Sequence, residues 1–204
     1  MRDGRALNEL LREIRSCRVC ARALPLGPRP IVQAGVDARL LIVGQAPNLS
    51  VHNSGIPWND ASGERLRGWL GIEREIFYDP ARIALMPMGY CYPGRGSSGD
   101  LPPRKECAEL WHGRLLARLQ RVRLTVLIGQ YAQRHFLGKA SRANLAETVA
   151  AHADYYAQRF LALPHPSPRN VGWFKRHPWF ERDLVPLLRE RVDLALAAPE
   201  ASPT

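Results

Sequence analysis

The chain has 204 residues, 46% of them apolar, which is enough for one substantial α/β domain with a buried core. Its 29 basic residues against 19 acidic ones leave a formal charge of +10, which points to a polyanionic partner, although an arginine-rich composition also raises charge without function. No apolar stretch is long enough to span a bilayer, and Met1-Arg2-Asp3-Gly4-Arg5 leads into an amphipathic stretch and not a signal-peptide core, so a cytoplasmic protein is the expectation.

Leu7, Leu10, Leu11 and Ile14 form a helical stripe over residues 6–16. Leu40-Leu41-Ile42-Val43 reads as a buried strand ending at Gly44. A helix is expected over 62–70, with Ser62 as its N-cap and Leu66, Trp69 and Leu70 on one face. Ile83 to Met86 is a second strand, and 92–103 is a loop rich in Pro, Gly and Ser. A helix over 105–119, a third strand from Val122 to Ile128 and short helices over 130–137 and 143–151 follow. Phe160 to Leu163 is a fourth strand, and a closing helix covers 179–196. Strands separated by helices argue for a parallel sheet covered on both faces. Residues 1–196 read as a single domain, with 197–204 a frayed tail.

Two loops stand out. Leu163-Pro164-His165-Pro166-Ser167-Pro168-Arg169-Asn170 is stiffened by three prolines and follows the last strand. It carries one titratable group, one small hydroxyl and one cation, which suits polarising a leaving group and gripping a phosphate backbone, though a stiffened turn with an incidental histidine has the same composition. Gly44-Gln45-Ala46-Pro47-Asn48 follows the first strand and runs on to Ser54-Gly55-Ile56-Pro57-Trp58-Asn59-Asp60. In a parallel sheet both loops open on one edge and face one crevice. Amides at 44–48 can donate to a carbonyl there, and Trp58 either stacks on a flat ring or fills core.

The four cysteines come as Cys17-x-x-Cys20 and as Cys91 and Cys107 flanking the Pro/Gly loop. Two separated pairs of soft ligands suit an iron–sulfur or a zinc site; free thiols remain open. A disulfide framework does not fit a chain of this length with no secretion signal.

Gly44-Gln45-Ala46-Pro47 after the first strand and His165-Pro166-Ser167-Pro168 after the last resemble the two motifs of the uracil-DNA glycosylase superfamily, in order and over about residues 10–193. Gly55-Ile56-Pro57-Trp58, Trp69-Leu70-Gly71 and the Arg169-Asn170 extension resemble its single-strand-selective monofunctional branch. The cysteine positions, with Cys91-Tyr92-Pro93-Gly94 and Leu101-Pro102-Pro103, resemble its iron–sulfur branch. The resemblance implies an α/β three-layer αβα sandwich with a central four-stranded parallel sheet. It also implies hydrolysis of the N-glycosidic bond of uracil, or of other deaminated bases, in DNA, by a monomer that leaves an abasic site. The alternative is a weakly catalytic or non-catalytic binder of damaged or abasic DNA. A [4Fe–4S] cluster on Cys17, Cys20, Cys91 and Cys107 is implied as a structural clip.

The same resemblance assigns candidate roles. His165 hydrogen-bonds the leaving base; Gly44, Ala46, Pro47, Asn48 and Trp58 hold that base; Ser167, Arg169 and Asn170 contact DNA, with Arg169 filling the vacated stack. Many relatives carry Asp or Asn where Ala46 stands, to handle the attacking water. Gln45, His52, Asn53 and Asp60 are the substitutes. Asn48 stands where relatives usually have glycine, and Met86-Pro87-Met88-Gly89-Tyr90 lacks the asparagine that reads the uracil edge, which opens the site to a broader range of deaminated bases.

Overall fold

The protein's structure is a computed structural model that describes residues 2–97 and 99–197. The chain runs α1 (Arg2–Ser16), β1 (Leu40–Val43), α2 (Leu49–Ser54), α3 (Ala61–Leu70), α4 (Arg74–Phe77) and β2 (Ile83–Leu85). After a long loop it continues through α5 (Gly113–Leu116), β3 (Leu124–Ile128), α6 (Gly129–Leu137), α7 (Leu145–Ala150), β4 (Phe160–Leu163), α8 (Val171–Arg176) and α9 (Val185–Leu196). The four strands form one all-parallel sheet in the order β2-β1-β3-β4.

Alternation along each strand feeds two cores. Leu40 and Ile42 pack with Leu66, Trp69 and Leu70 of α3 and Leu188 and Val192 of α9. Leu41 and Val43 pack on the other face with Leu7, Leu11 and Ile14 of α1 and Leu115 of α5. Burial on both faces is why these strands read as unbroken apolar runs. Each such Leu or Ile contributes about 1.5–3 kcal/mol of transfer free energy. The three-layer α/β architecture expected from the sequence is the one observed.

Some boundaries differ. The N-cap of α3 is Asp60, whose carboxylate accepts from the Gly63 N–H at 2.9 Å; Ser62 is buried in the first turn instead. The helix expected over 105–119 includes a wide turn at Ala108–His112 and its α segment ends at Leu116. The third strand starts at Leu124 and not at Val122. The short helices α2, α4 and α8 have no counterpart among the sequence expectations. Apart from Ala197, the tail expected to fray, 197–204, lies outside the described residues. No helix among the described residues is long and apolar enough to cross a membrane.

The strand order places the site. From β1 the chain moves one way to β2 and then returns to the other side of β1 for β3 and β4. The switch point therefore lies between the carboxyl ends of β1 and β3, where open α/β sheets leave a crevice.

His112 is an acid-sensitive point in the packing. Its ring is buried beside Tyr90, His135 and Phe136, and its Nε2 stands 3.2 Å from the Pro87 carbonyl. Burial is the main cause that pushes its pKa down to about 4; the Pro87 carbonyl opposes the shift and His135 adds to it. As pH falls from about 6.5 to 4, the unfolded chain takes up a proton that the folded chain refuses. Over that window the fold should lose up to about 3 kcal/mol at this residue. Urea unfolding against pH should show a shallower acid decline for His112→Gln, which keeps a donor for Pro87 without titrating. Equal slopes for the two proteins would remove His112 from the account.

Candidate active site

A cleft of about 970 Å³ opens at the carboxyl ends of the strands, between the loop after β1 and the loop after β4. It is lined from one side by Gly44, Gln45, Ala46, Pro47, Asn48 and Asn53, and from the other by His165, Ser167, Arg169 and Asn170, with Trp58 and Asp60 between them. Of the residues singled out from the sequence, only His52 and the cysteines do not line it. His52 is buried behind the wall, its ring 6.1 Å from Tyr92 and its Nδ1 without a partner. Burial, then the nearby Arg29, pushes its pKa down.

The loop after β1 is pinned by its carbonyls. Gly44 O accepts from the Met88 N–H at 2.8 Å and Gln45 O from the Gly89 N–H at 2.9 Å. The N–H groups of Gln45, Ala46 and Asn48 have no hydrogen-bond partner among the described residues. Because this loop is held by its acceptors, its donors are left for a ligand.

Trp58 is wedged between two glycines. A Cβ on Gly44 would stand 2.6 Å from Trp58 Cζ2, and one on Gly63 only 1.7 Å from the Trp58 carbonyl oxygen. Trp58 itself has φ of 56°, a left-handed conformation that non-glycine residues adopt at a cost. Its ring lies 5.7 Å from that of His165, tilted by 31°. The tryptophan is thus part of the cleft wall, half-buried, with a face toward the histidine.

Asn48 and Asp60 form a cross-brace. Asn48 Oδ1 caps α2 by accepting from the Val51 N–H at 2.9 Å, and its Nδ2 donates to Asp60 Oδ2. Each end of the Asn48 amide thereby makes one intramolecular bond, which fixes its orientation in the cleft wall. Asp60 in turn caps α3, which fixes its carboxylate in the cleft. Leu85 and Pro87 line the cleft near the end of β2, where no side-chain amide is present.

The loop after β4 holds its histidine in one tautomer. The Ser167 N–H donates to His165 Nδ1 at 3.2 Å, so the neutral ring carries its proton on Nε2. Asn170 Nδ2 donates to the His165 carbonyl at 2.8 Å, and the Arg169 N–H donates to Ser167 Oγ at 3.2 Å. Burial pushes the His165 pKa down, against the pull of the Asp60 carboxylate. The imidazole is therefore neutral at pH 7, with one N–H to donate. Arg169 is exposed at the cleft mouth and makes no salt bridge among the described residues.

The four cysteines converge on a second, apolar recess beside Ile14, Leu24 and Trp111, and none is in a disulfide. Cys107 Sγ accepts from the Tyr90 N–H at 3.5 Å. Burial pushes the Cys91 thiol up to about 11 and Cys107 to about 12, and the neighbouring cysteines add to both shifts. Cys20 is also raised by burial, with an Arg104 hydrogen bond opposing. Four thiols facing one recess, with the Tyr90 N–H aimed at the Cys107 sulfur, fit an iron–sulfur cluster that takes one thiolate per iron. Among the described residues no three His, Cys, Asp or Glu side chains are grouped to hold a single metal ion.

Asp60 is the residue whose place the sequence left least defined. Arg65, which donates to the Pro166 carbonyl at 3.5 Å, went unnoticed in the sequence, and Tyr92, read there only as part of the cysteine motif, lines the cleft. The available signal was the pair of cap positions, Asn48 before a short helix and Asp60 before a longer one. A family model described as the Uracil DNA glycosylase superfamily matches residues 32–189.

Proposed function

The chain belongs to the uracil-DNA glycosylase superfamily, and from that membership we propose that it is a monofunctional DNA glycosylase that releases uracil and other deaminated bases and leaves an abasic site. The observation that carries this reading is the pairing, in one cleft, of a neutral His165 with its N–H on Nε2 and a loop with three unengaged amides. Donors on two sides suit a base that presents carbonyl oxygens. Uracil, hypoxanthine and xanthine do so; cytosine and adenine carry an amino group where deamination leaves a carbonyl.

The target nucleotide must leave the duplex, at a cost of a few kcal/mol that is smallest at mismatches. The +10 charge favours the DNA backbone as partner. In the cleft the Gln45, Ala46 and Asn48 amides receive a base carbonyl, and the Trp58 wall limits the depth of entry. As the glycosidic bond breaks, the sugar becomes cationic and the base anionic. His165 Nε2–H donates to the anion, and a neutral donor does this without first being protonated. The Asp60 carboxylate, held by Asn48 and Gly63, orients the attacking water and opposes the sugar's positive charge, the task that Ala46 cannot perform. Lys105, Lys139 and Lys175, the chain's only lysines, do not line the cleft, which supports the monofunctional reading. Cys17, Cys20, Cys91 and Cys107 would hold a [4Fe–4S] cluster, which supplies a structural clip.

Incubation with oligonucleotides carrying uracil, xanthine or hypoxanthine should produce alkali-labile abasic sites at the lesion. Tight binding with no base release would overturn the enzymatic reading in favour of a damage binder. Arg169 should act as a wedge that occupies the vacated stack, since Pro168 stiffens its base and its guanidinium can stack on neighbouring bases. Arg169→Ala should then lose more activity on duplex than on single-stranded uracil DNA. Equal losses, with the salt slope lower by about one, would reduce Arg169 to a phosphate contact.

A further inference from the structure

The cysteine recess and the cleft are joined by one residue. Arg29 stands between Pro28 and Pro30, both of which line the recess, so its backbone is stiffly held there. Two residues on, the Ile31 N–H donates to the Tyr90 carbonyl at 2.8 Å, which ties this segment to the backbone beside Cys91, and the Arg29 N–H pulls the Cys91 pKa down against burial. The Arg29 side chain runs the other way. Arg29 Nη1 donates to the His52 carbonyl at 2.5 Å and to the Asn53 carbonyl at 3.0 Å, satisfying acceptors at the last turn of α2. The guanidinium also lies over Gly55, which ends α2 at φ of 73°; a Cβ there would stand 2.7 Å from Arg29 Nη2. The other end of α2 is Asn48, which holds Asp60. A continuous set of contacts therefore runs from the recess wall beside Cys91 through Arg29 and α2 to the carboxylate in the cleft. The two-turn helix between them is too short to be stable by itself.

We infer that Arg29 is a positioning residue that couples the cysteine recess to the cleft, holding α2, and through it Asn48 and Asp60, in register with Cys91. This inference rests on the reading of the cleft as the excision site for its effect on activity, while its effect on α2 does not. Removing the Arg29 side chain leaves the backbone of 28–31 in the recess wall, so the recess should stay intact while α2 loosens.

The test is hydrogen exchange at the His52 and Gly55 amides, which close the turns of α2, in wild type, Arg29→Ala, Cys91→Ala and the double variant. Each single substitution should speed exchange there by about 10-fold or more, because charge-assisted bonds are lost or released. The double variant should be no faster than the faster single, since both cut one chain of contacts. Arg29→Ala should keep the wild-type iron content and slow single-turnover excision by about 10-fold with DNA affinity unchanged. Arg29→Lys, which retains one charged donor, should recover most of that rate. Unchanged α2 exchange in either single variant, or additive effects in the double, would overturn the coupling. Loss of iron from Arg29→Ala would also overturn it, by placing the side chain's role in the recess. If Cys91→Ala does not fold, the Arg29→Ala and Arg29→Lys pair decides, and unchanged exchange in both refutes the inference. If wild type releases no base while exchange behaves as expected, the glycosylase reading fails and the coupling stands.

Discussion

Replacing His165 with alanine should slow base release about 100- to 1000-fold while leaving DNA affinity nearly unchanged, as expected for a donor whose main work is in the transition state. On the glycosylase reading the side chain meets the leaving base only after flipping, whereas affinity should come mainly from phosphate contacts. His165→Gln should recover part of the loss if its amide reaches the same oxygen. The pH dependence follows from the direction of the pKa shift. Burial holds the His165 pKa below its ordinary value, so the ring stays neutral as pH falls through 6.5. Excision should therefore be level from pH 8 to 6.5 and decline only at lower pH, where protonation of Nδ1 breaks its bond from the Ser167 N–H. Single-turnover rates on uracil DNA across that range are the measurement. Unchanged excision by His165→Ala would sink the assignment.

Protein purified without oxygen should be yellow-brown and hold about four irons and four sulfides per chain. Cys107→Ala should abolish the colour and lower the thermal midpoint by about 10 °C, since a structural metal site contributes folding free energy directly. Burial pushes the Cys91 and Cys107 thiols up to about 11 and about 12, which favours the protonated forms at neutral pH, and these must lose protons to bind iron. Reconstitution should consequently release protons and proceed further as pH rises from 7 to 9. A colourless protein with no bound metal after anaerobic purification would leave four ordinary buried thiols.

The sheet was legible because burial on both faces writes each strand as an apolar run, as in Leu40 to Val43 and Phe160 to Leu163, and because parallel connection brings their following loops together. Two of the residues on those loops, Ala46 and His165, could be placed in one crevice from order alone. What the sequence hid depends on local hydrogen bonding. The helix α2 has six residues and no apolar period, so it read as loop, and His52 within it looked as available as Asn53 although it faces inward. Asn48 read as a residue that holds the base, and its side chain also bonds Val51 and Asp60. Ser62 and Asp60 are both good caps by type, and only the fold tells which one precedes the first turn. The route from Cys91 to α2 passes through Arg29, over twenty residues from its acceptors, and no periodicity points to it.

Trp58, held at a left-handed φ with glycine backbone on either side, has a thermodynamic consequence for encounter with substrate. Such a conformation costs about 1–3 kcal/mol, and that cost falls on folding. With glycine backbone against it on two sides, the residue is held in place while the cleft is empty, so on the glycosylase reading an incoming base should meet a preformed wall and lose little entropy in being ordered. Discrimination would then arise by exclusion. A base that fails to match should find a wall that does not yield and return to the stack.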